Sequence, residues 1–315
     1  MRRFKVLVVD DSPVARAAVR RALEGEFEVF EARSGKEGLE LFARVSPDVV
    51  VLDLILPDAF GLELLPELKR APVLVFSSLA AEGAEVTLKA LEAGAADYLL
   101  KPSNLAELVA LKRELLEKVR ALVTRPRSRK RRPKAGEGFA ALLIGASTGG
   151  PPAVAEVLKG LKPRVPVVCA VHLLPGFGSA LAKALERRTG LPARVVKGAE
   201  DLEPGVAYVL EENYEFSSPE RLVPSMVPSV YSPSVDILFT SAAAHLGPKA
   251  LAVVLTGMGS DGALGAKAIH EAGGTVLVQD PETAPLWGMP RSAEPYADGV
   301  LDLEEIREFL RGALE

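Results

Sequence analysis

Three side chains that together could perform acyl transfer, Ser147, His172 and Asp261, each stand beyond an apolar run of this 315-residue chain. Ser147 lies in FAALLIGASTGGPP (139–152), where Phe139 to Ile144 reads as a buried strand and a helical pattern begins at Pro151 and Pro152. A hydroxyl at such a strand-to-helix turn projects from the C-terminal edge of a sheet, beside the free N–H groups of the following helix. His172 follows VPVVCAV (165–171), and Asp261 lies in the turn TGMGSDG (256–262) after the apolar run 250–255. In acyl transfer a carboxylate orients an imidazole, the imidazole takes the serine proton, and nearby N–H groups hold the developing oxyanion.

Other readings of the same residues exist. A strand-Gly-helix turn can cradle a phosphate, although the companion loops of His172 and Asp261 argue against it here. Gly145 to Gly149 also fits G-x-S-x-G, the pattern of α/β-hydrolases, whose order is serine, acid, histidine. That order would need Asp201 or Asp236 as acid and His245 or His270 as base. Both histidines fall within or at the end of helical patterns, so His172 is better placed.

A second constellation lies in the first third of the chain. Asp10 and Asp11 follow the apolar run 4–9, Asp53 follows 49–52, Ser77 and Ser78 follow 73–76, and Lys101 follows 95–100. Any one aspartate there could merely cap a helix or turn. Three carboxylates at one edge repel unless a cation intervenes, and oxygen-only ligation favours a hard ion such as Mg²⁺.

The elements that must position these groups alternate between strand and helix in both halves, which implies parallel sheets wrapped by helices. The first half reads as strands near 4–9, 28–32, 49–52, 73–76 and 95–100, with helices at 13–23 and 36–45. A last amphipathic helix runs to Leu122, with Asn104 as its cap. The second half adds helices at 179–188, 235–245 and 263–272, short β segments at 193–196 and 206–210, and a loop or hairpin over 211–233. In a parallel sheet the C-terminal strand ends share one edge, so distant residues converge there.

Between the halves, Thr124 to Gly136 carries seven lysines and arginines and no acidic residue, in a chain of net charge −4. Without aromatic residues for stacking, and broken by Pro126 and Pro133, this run reads as a solvated linker and not as a nucleic-acid site. The expected organisation is residues 1–123, a basic flexible linker at 124–138, and a domain at 139–315. Cys169 lies inside an apolar strand pattern and reads as core filler. A lone cysteine, no apolar stretch of the ~20 residues a membrane span needs, and no signal peptide together lead us to expect a soluble cytoplasmic protein.

The acidic pair, the lone Asp53, the hydroxyl at Ser77 and Lys101-Pro102 occur in the order seen in receiver domains of bacterial response regulators, which residues 4–122 resemble. The resemblance implies a flavodoxin-like five-stranded parallel sheet and phosphorylation of Asp53 by a histidine kinase. Asp10, Asp11 and Asp53 would bind Mg²⁺, Lys101 would pair with the phosphoryl group, and Ser77 and Tyr98 would act as switch residues.

Across nearly the whole chain the motifs resemble the chemotaxis protein-glutamate methylesterase (CheB) family. They are GASTGG around Ser147, His172 followed by PGF, PSVDILFTSA (233–242), TGMGSDG, Gln279-Asp280 and GMPR (288–291). The resemblance implies a C-terminal doubly wound, mainly parallel α/β hydrolytic domain with Ser147 as nucleophile, His172 as base and Asp261 as orienting acid. Thr148 would hydrogen-bond near the histidine, and the Met258 N–H would help form the oxyanion hole.

The implied substrates are glutamate γ-methyl esters, and also glutamines, of chemoreceptors. The implied kinase is CheA-like, and no cofactor is expected in the catalytic domain. Phosphorylation would activate the enzyme by uncovering the Ser147 edge. A hydrolase for another ester or amide and a phosphorylation-gated binding module remain alternatives. The chain departs from the family at Val171, Leu174, Val209-Leu210-Glu211 and Tyr231-Ser232, the last replacing a basic pair. No departure removes a triad member, and the last two lie in regions expected to contact substrate, which bears on receptor affinity and substrate breadth.

Overall fold

The computed structural model describes residues 3–78, 83–102, 105–123, 131, 133 and 138–315. Asn104 and the basic run other than Arg131 and Pro133 lie outside the described residues. The chain divides into two compact units, Met1–Arg125 and Pro126–Glu315.

In the first unit β1 (Lys5–Val9), β2 (Glu28–Ala32), β3 (Val49–Leu52), β4 (Val73–Ser77) and β5 (Asp97–Leu100) form one sheet in the order β2-β1-β3-β4-β5. Every pairing is parallel. The helices are α1 (Pro13–Leu23), α2 (Gly35–Val45), α3 (Gly61–Leu64), α4 (Gly83–Glu92) and α5 (Leu105–Val123). Strands covered on both faces read as continuous apolar runs, and β3, with four buried residues Val-Val-Val-Leu, is the clearest case. Ser12 and Ser34 start α1 and α2 by accepting the Ala15 and Glu37 amides, each at 3.3 Å. The strand order reverses at β1/β3, so Asp10 and Asp53 emerge side by side.

The second unit begins with β6 (Ala141–Ala146), α6 (Gly150–Leu158), β7 (Val167–Val171), α7 (Gly178–Thr189), β8 (Ala193–Val195), β9 (Glu200–Asp201) and β10 (Ala207–Leu210). A hairpin of β11 (Tyr214–Ser218) and β12 (Arg221–Pro224) follows, then α8 (Val235–Leu246), β13 (Ala250–Val254), α9 (Ala263–Glu271), β14 (Thr275–Gln279), α10 (Gly288–Ala293), β15 (Gly299–Leu301) and α11 (Leu303–Leu314). Seven strands make a parallel sheet in the order β15-β14-β13-β6-β7-β10-β8, and β11-β12-β9 form a small antiparallel sheet.

Alternate residues of each central strand serve opposite cores, as the period of two requires. Ala250, Ala252 and Val254 join the core that contains α8 residues Leu238 and Phe239, whereas Leu251, Val253 and Leu255 join that of Val154, Leu181 and Leu310. Cys169 is fully buried in the latter, which pushes its thiol up to about 12 and leaves it unreactive. Among the described residues no helix is long and apolar enough to cross a membrane.

One linker residue is not free. Arg131 N donates to Val300 O at 3.1 Å and Val300 N to Arg131 O at 2.8 Å, so the chain pairs here with β15, the edge strand of the seven-stranded sheet.

Candidate active site

β13, β6 and β7 are neighbours at the centre of the seven-stranded sheet, and β6 marks the point where the strand order reverses. Their C-terminal loops carry Asp261, Ser147 and His172 respectively. The loops are joined by backbone bonds: Ser147 N donates to Thr256 O at 3.0 Å, and His172 N to Ala146 O at 2.9 Å. Gly150 N returns to Ser147 O at 2.7 Å, closing the tight turn into α6. Gly257 lets the β13 loop approach, because a Cβ there would lie 2.9 Å from Ser147 Cβ and 2.3 Å from Met289 Sδ.

His172 Nε2 lies 2.7 Å from Asp261 Oδ2. Asp261 is buried, and its remaining acceptor capacity is filled by the start of α8. Val235 N donates to Oδ2 at 2.8 Å, while Asp236 N at 2.9 Å and Ser234 Oγ at 3.2 Å donate to Oδ1. Burial would raise this carboxyl, but the His172 bond and the Asp236 and Val235 amides outweigh it and hold Asp261 below the usual carboxylate range. An ionised Asp261 fixes the proton on Nε2, so the nitrogen left to receive a proton is Nδ1. His245 and His270 are exposed on the last turns of α8 and α9.

A buried polar frame holds the Ser147 and Met258 loops together. Gln279 Oε1 accepts Thr256 N at 2.8 Å, and Thr256 Oγ1 accepts Leu286 N at 3.0 Å. The Thr256 hydroxyl proton faces both Thr148 O at 2.9 Å and Leu286 O at 3.0 Å. Thr148 is thus buried beside Ser147, tied through its carbonyl. Met258 sits half-buried in the β13 loop, between Gly257, whose N–H is committed to Leu286 O at 3.0 Å, and Gly259.

In the first unit Lys101 Nζ lies 2.6 Å from Asp53 Oδ2 and 2.9 Å from Asp10 Oδ2. The second contact is an ion pair without hydrogen-bond alignment, and Asp10 Oδ2 remains a buried oxygen with no hydrogen-bond partner. Burial pushes the Asp10 carboxyl up against the pull of Lys101. Burial works to lower Lys101, yet Asp53 and Asp10 together hold it above the usual lysine range. Asp10, Asp11 and Asp53 can each offer one oxygen, all within 4.8 Å of one another. Ser77 reaches the same edge, its carbonyl accepting Lys101 N at 2.8 Å. Tyr98 is half-buried on β5, with Lys118 Nζ 6.0 Å from its ring centre.

Residues 142–310 match the CheB methylesterase family, and residues 6–113 match the response regulator receiver domain family. The chain belongs to the CheB methylesterase family. It is 38% identical to protein-glutamate methylesterase/protein-glutamine glutaminase 1 of Carboxydothermus hydrogenoformans, over 93% of each chain. Its identity to the Myxococcus xanthus protein of the same name is 41%, over 92% of this chain and 90% of that one. The Thermotoga maritima CheB methylesterase catalytic domain superposes with a TM-score of 0.52 at 32% identity, covering 56% of this chain and 98% of that structure.

Ser147, His172 and Asp261 lie at one sheet edge, where the sequence led us to expect them, but the groups that support them were missed. Ser234 caps α8 and bonds Asp261, a role that the S-x-D pattern before an apolar helix could have signalled. Asp236 receives Gly262 N at 2.9 Å and Gly265 N at 2.8 Å, at the start of α9. Tyr231 stacks on His172 with ring centres 4.8 Å apart and planes 4° from parallel, which no local pattern announces.

Proposed function

We propose that the protein is a receiver-controlled serine esterase that demethylates glutamate γ-methyl esters of chemoreceptors and deamidates their glutamines. The observation that carries this reading is the 2.7 Å contact of His172 Nε2 with a buried, multiply bonded Asp261, on the strand end next to Ser147. The names of the relatives supply the substrate class.

Ser147 Oγ attacks the γ-carbonyl carbon as His172 Nδ1 takes its proton. Asp261 keeps Nε2 protonated and offsets the positive charge that the imidazole gains. The oxyanion is met by backbone N–H groups at the start of α6 and in the 257–259 turn, with Met258 the assigned donor. His172 then returns the proton to the departing methoxide, or in deamidation to the departing nitrogen, which leaves as ammonia. Water, deprotonated by the same nitrogen, hydrolyses the acyl-enzyme to glutamate and free Ser147.

The receiver supplies control. Three carboxylates whose oxygens lie within 4.8 Å of one another suit a hard, oxygen-liganded cation, so Asp10, Asp11 and Asp53 would hold Mg²⁺. When bound, the ion offsets negative charge at phosphoryl transfer to Asp53. Lys101, already at Asp53 Oδ2, is placed to pair with the phosphoryl oxygens, while Ser77 and Tyr98 carry the change outward. The phosphoryl donor is a histidine kinase of the CheA type. A serine-directed fluorophosphonate tests the nucleophile: it labels the wild type at Ser147 and leaves a folded Ser147→Ala variant unlabelled. Equal labelling of the two removes Ser147 from the mechanism.

A further inference from the structure

We infer that Tyr231 is a positioning residue for the base, its ring fixing the plane of the His172 imidazole so that Nδ1 faces Ser147. The bond from Nε2 to Asp261 holds one point of the imidazole but leaves the ring free to swing about it. A second constraint comes from the Tyr231 ring, 4.8 Å away and within 4° of parallel. An aromatic face is also suited to the positive charge that the imidazole acquires when it takes the serine proton.

Tyr231 is itself held. Its N–H donates to Ser229 Oγ at 3.1 Å, and its hydroxyl lies against Gly259, where any Cβ would come within 3.0 Å of that oxygen. Gly259 belongs to the loop that carries Met258 and Asp261, so the ring spans from that loop to the imidazole. Three residues further on, Ser234 N is anchored to Asn213 Oδ1 at 2.7 Å, and its hydroxyl reaches Asp261. Val235 and Asp236 donate the remaining amides to that carboxylate. The six-residue segment from Tyr231 to Asp236 therefore holds both the imidazole and the acid that orients it. This gives the tyrosine at this position a role in turnover rather than in substrate choice.

The inference rests on His172 as the base of Ser147, and its test separates the two. In the full-length protein, with a small-molecule phosphoryl donor and Mg²⁺ present throughout so that the receiver does not limit access, the rate of fluorophosphonate labelling at Ser147 reports activation of the serine without any receptor. Tyr231→Phe and Tyr231→His keep a flat ring and should label within about twofold of wild type, whereas Tyr231→Leu should label about tenfold more slowly. With a methylated receptor fragment the Leu variant should lose kcat and keep KM.

Labelling of the Leu variant at the wild-type rate, or a raised KM with unchanged kcat, overturns the inference while leaving the nucleophile in place. Loss of labelling in the Phe variant overturns it as well, since that change spares the stack. If Tyr231→Leu fails to fold, Tyr231→Gln, which also lacks the ring but keeps a polar end, takes its place with the same expected slowing. A wild-type protein that resists the probe overturns the reading of Ser147 and His172, and this inference with it.

Discussion

Asp261 and Asp236 each cap the helix that the other leads. Asp261, just before α9, accepts the Val235 and Asp236 amides that open α8, and Asp236, in the first turn of α8, accepts the Gly262 and Gly265 amides that open α9. Asp261, the partner of His172, is thereby built into the junction of two packed helices, with each carboxylate at a positive helix end.

Removing Asp236 should therefore damage the site indirectly. Asp236→Ala leaves two amides without their acceptor and should cost about 1–2 kcal/mol, read as a lower urea midpoint, with a smaller loss of turnover than Asp261→Ala produces. Asp236→Asn retains an acceptor oxygen and should recover most of the stability. An Ala variant as stable as wild type would deny the cross-capping.

The same pair gives opposite dependences on pH. Asp261 lies below the usual carboxylate range, so its contribution is complete above the unfolded value of about 4 and is lost as pH falls through the folded value. Asp236 is pushed up by burial, opposed by the Gly265 amide and reinforced by the Asp261 charge. Its contribution is complete below the unfolded value and declines as pH rises through the raised one. Urea midpoints followed from about pH 7 to about pH 3 should thus fall less steeply in Asp261→Asn and more steeply in Asp236→Asn. Identical profiles would contradict the assignment.

Gly257 tests how closely the loops must meet. A methyl group there would press on Ser147 Cβ and Met289 Sδ, so Gly257→Ala should lower kcat about 100-fold by displacing Ser147. Methanol release at saturating substrate measures it, and a variant with wild-type kcat would show that the contact yields freely.

The positions of Ser147, His172 and Asp261 were legible because each follows a strand buried on both faces, and such strands are written as unbroken apolar runs. Asp10 and Asp53 were legible for the same reason, whereas Lys101 follows the half-buried edge strand β5 and was marked by the Lys-Pro pair that ends it. The Tyr231 stack was not, since it depends on where the chain after the β11-β12 hairpin returns, and stacking leaves no periodicity in sequence. The cross-capping was half visible: Ser234 before an apolar helix is a local signal, but the pairing of Asp261 with α8 is set only by packing. Composition marked the basic run as solvated, yet Arg131 pairs with Val300, because an open sheet edge accepts any extended backbone that reaches it.

That pairing bears on where the receiver is removed. A chain beginning at Arg131 keeps the bridge to β15, and it should hydrolyse faster than the unphosphorylated full-length protein if the receiver inhibits. A chain beginning at Gly136 should show the same activation with about 1 kcal/mol less stability. Basal rates no higher than those of the full-length protein would refute inhibition by the receiver.

The most direct test is methanol release from a methylated receptor fragment by the full-length protein, with and without a small-molecule phosphoryl donor and Mg²⁺, alongside Ser147→Ala and Asp53→Asn. Release should require Ser147, rise with the donor, and lose that rise in Asp53→Asn or when the metal is chelated. Release that persists in Ser147→Ala, or none at all from folded, phosphorylated wild type, would contradict the proposed function.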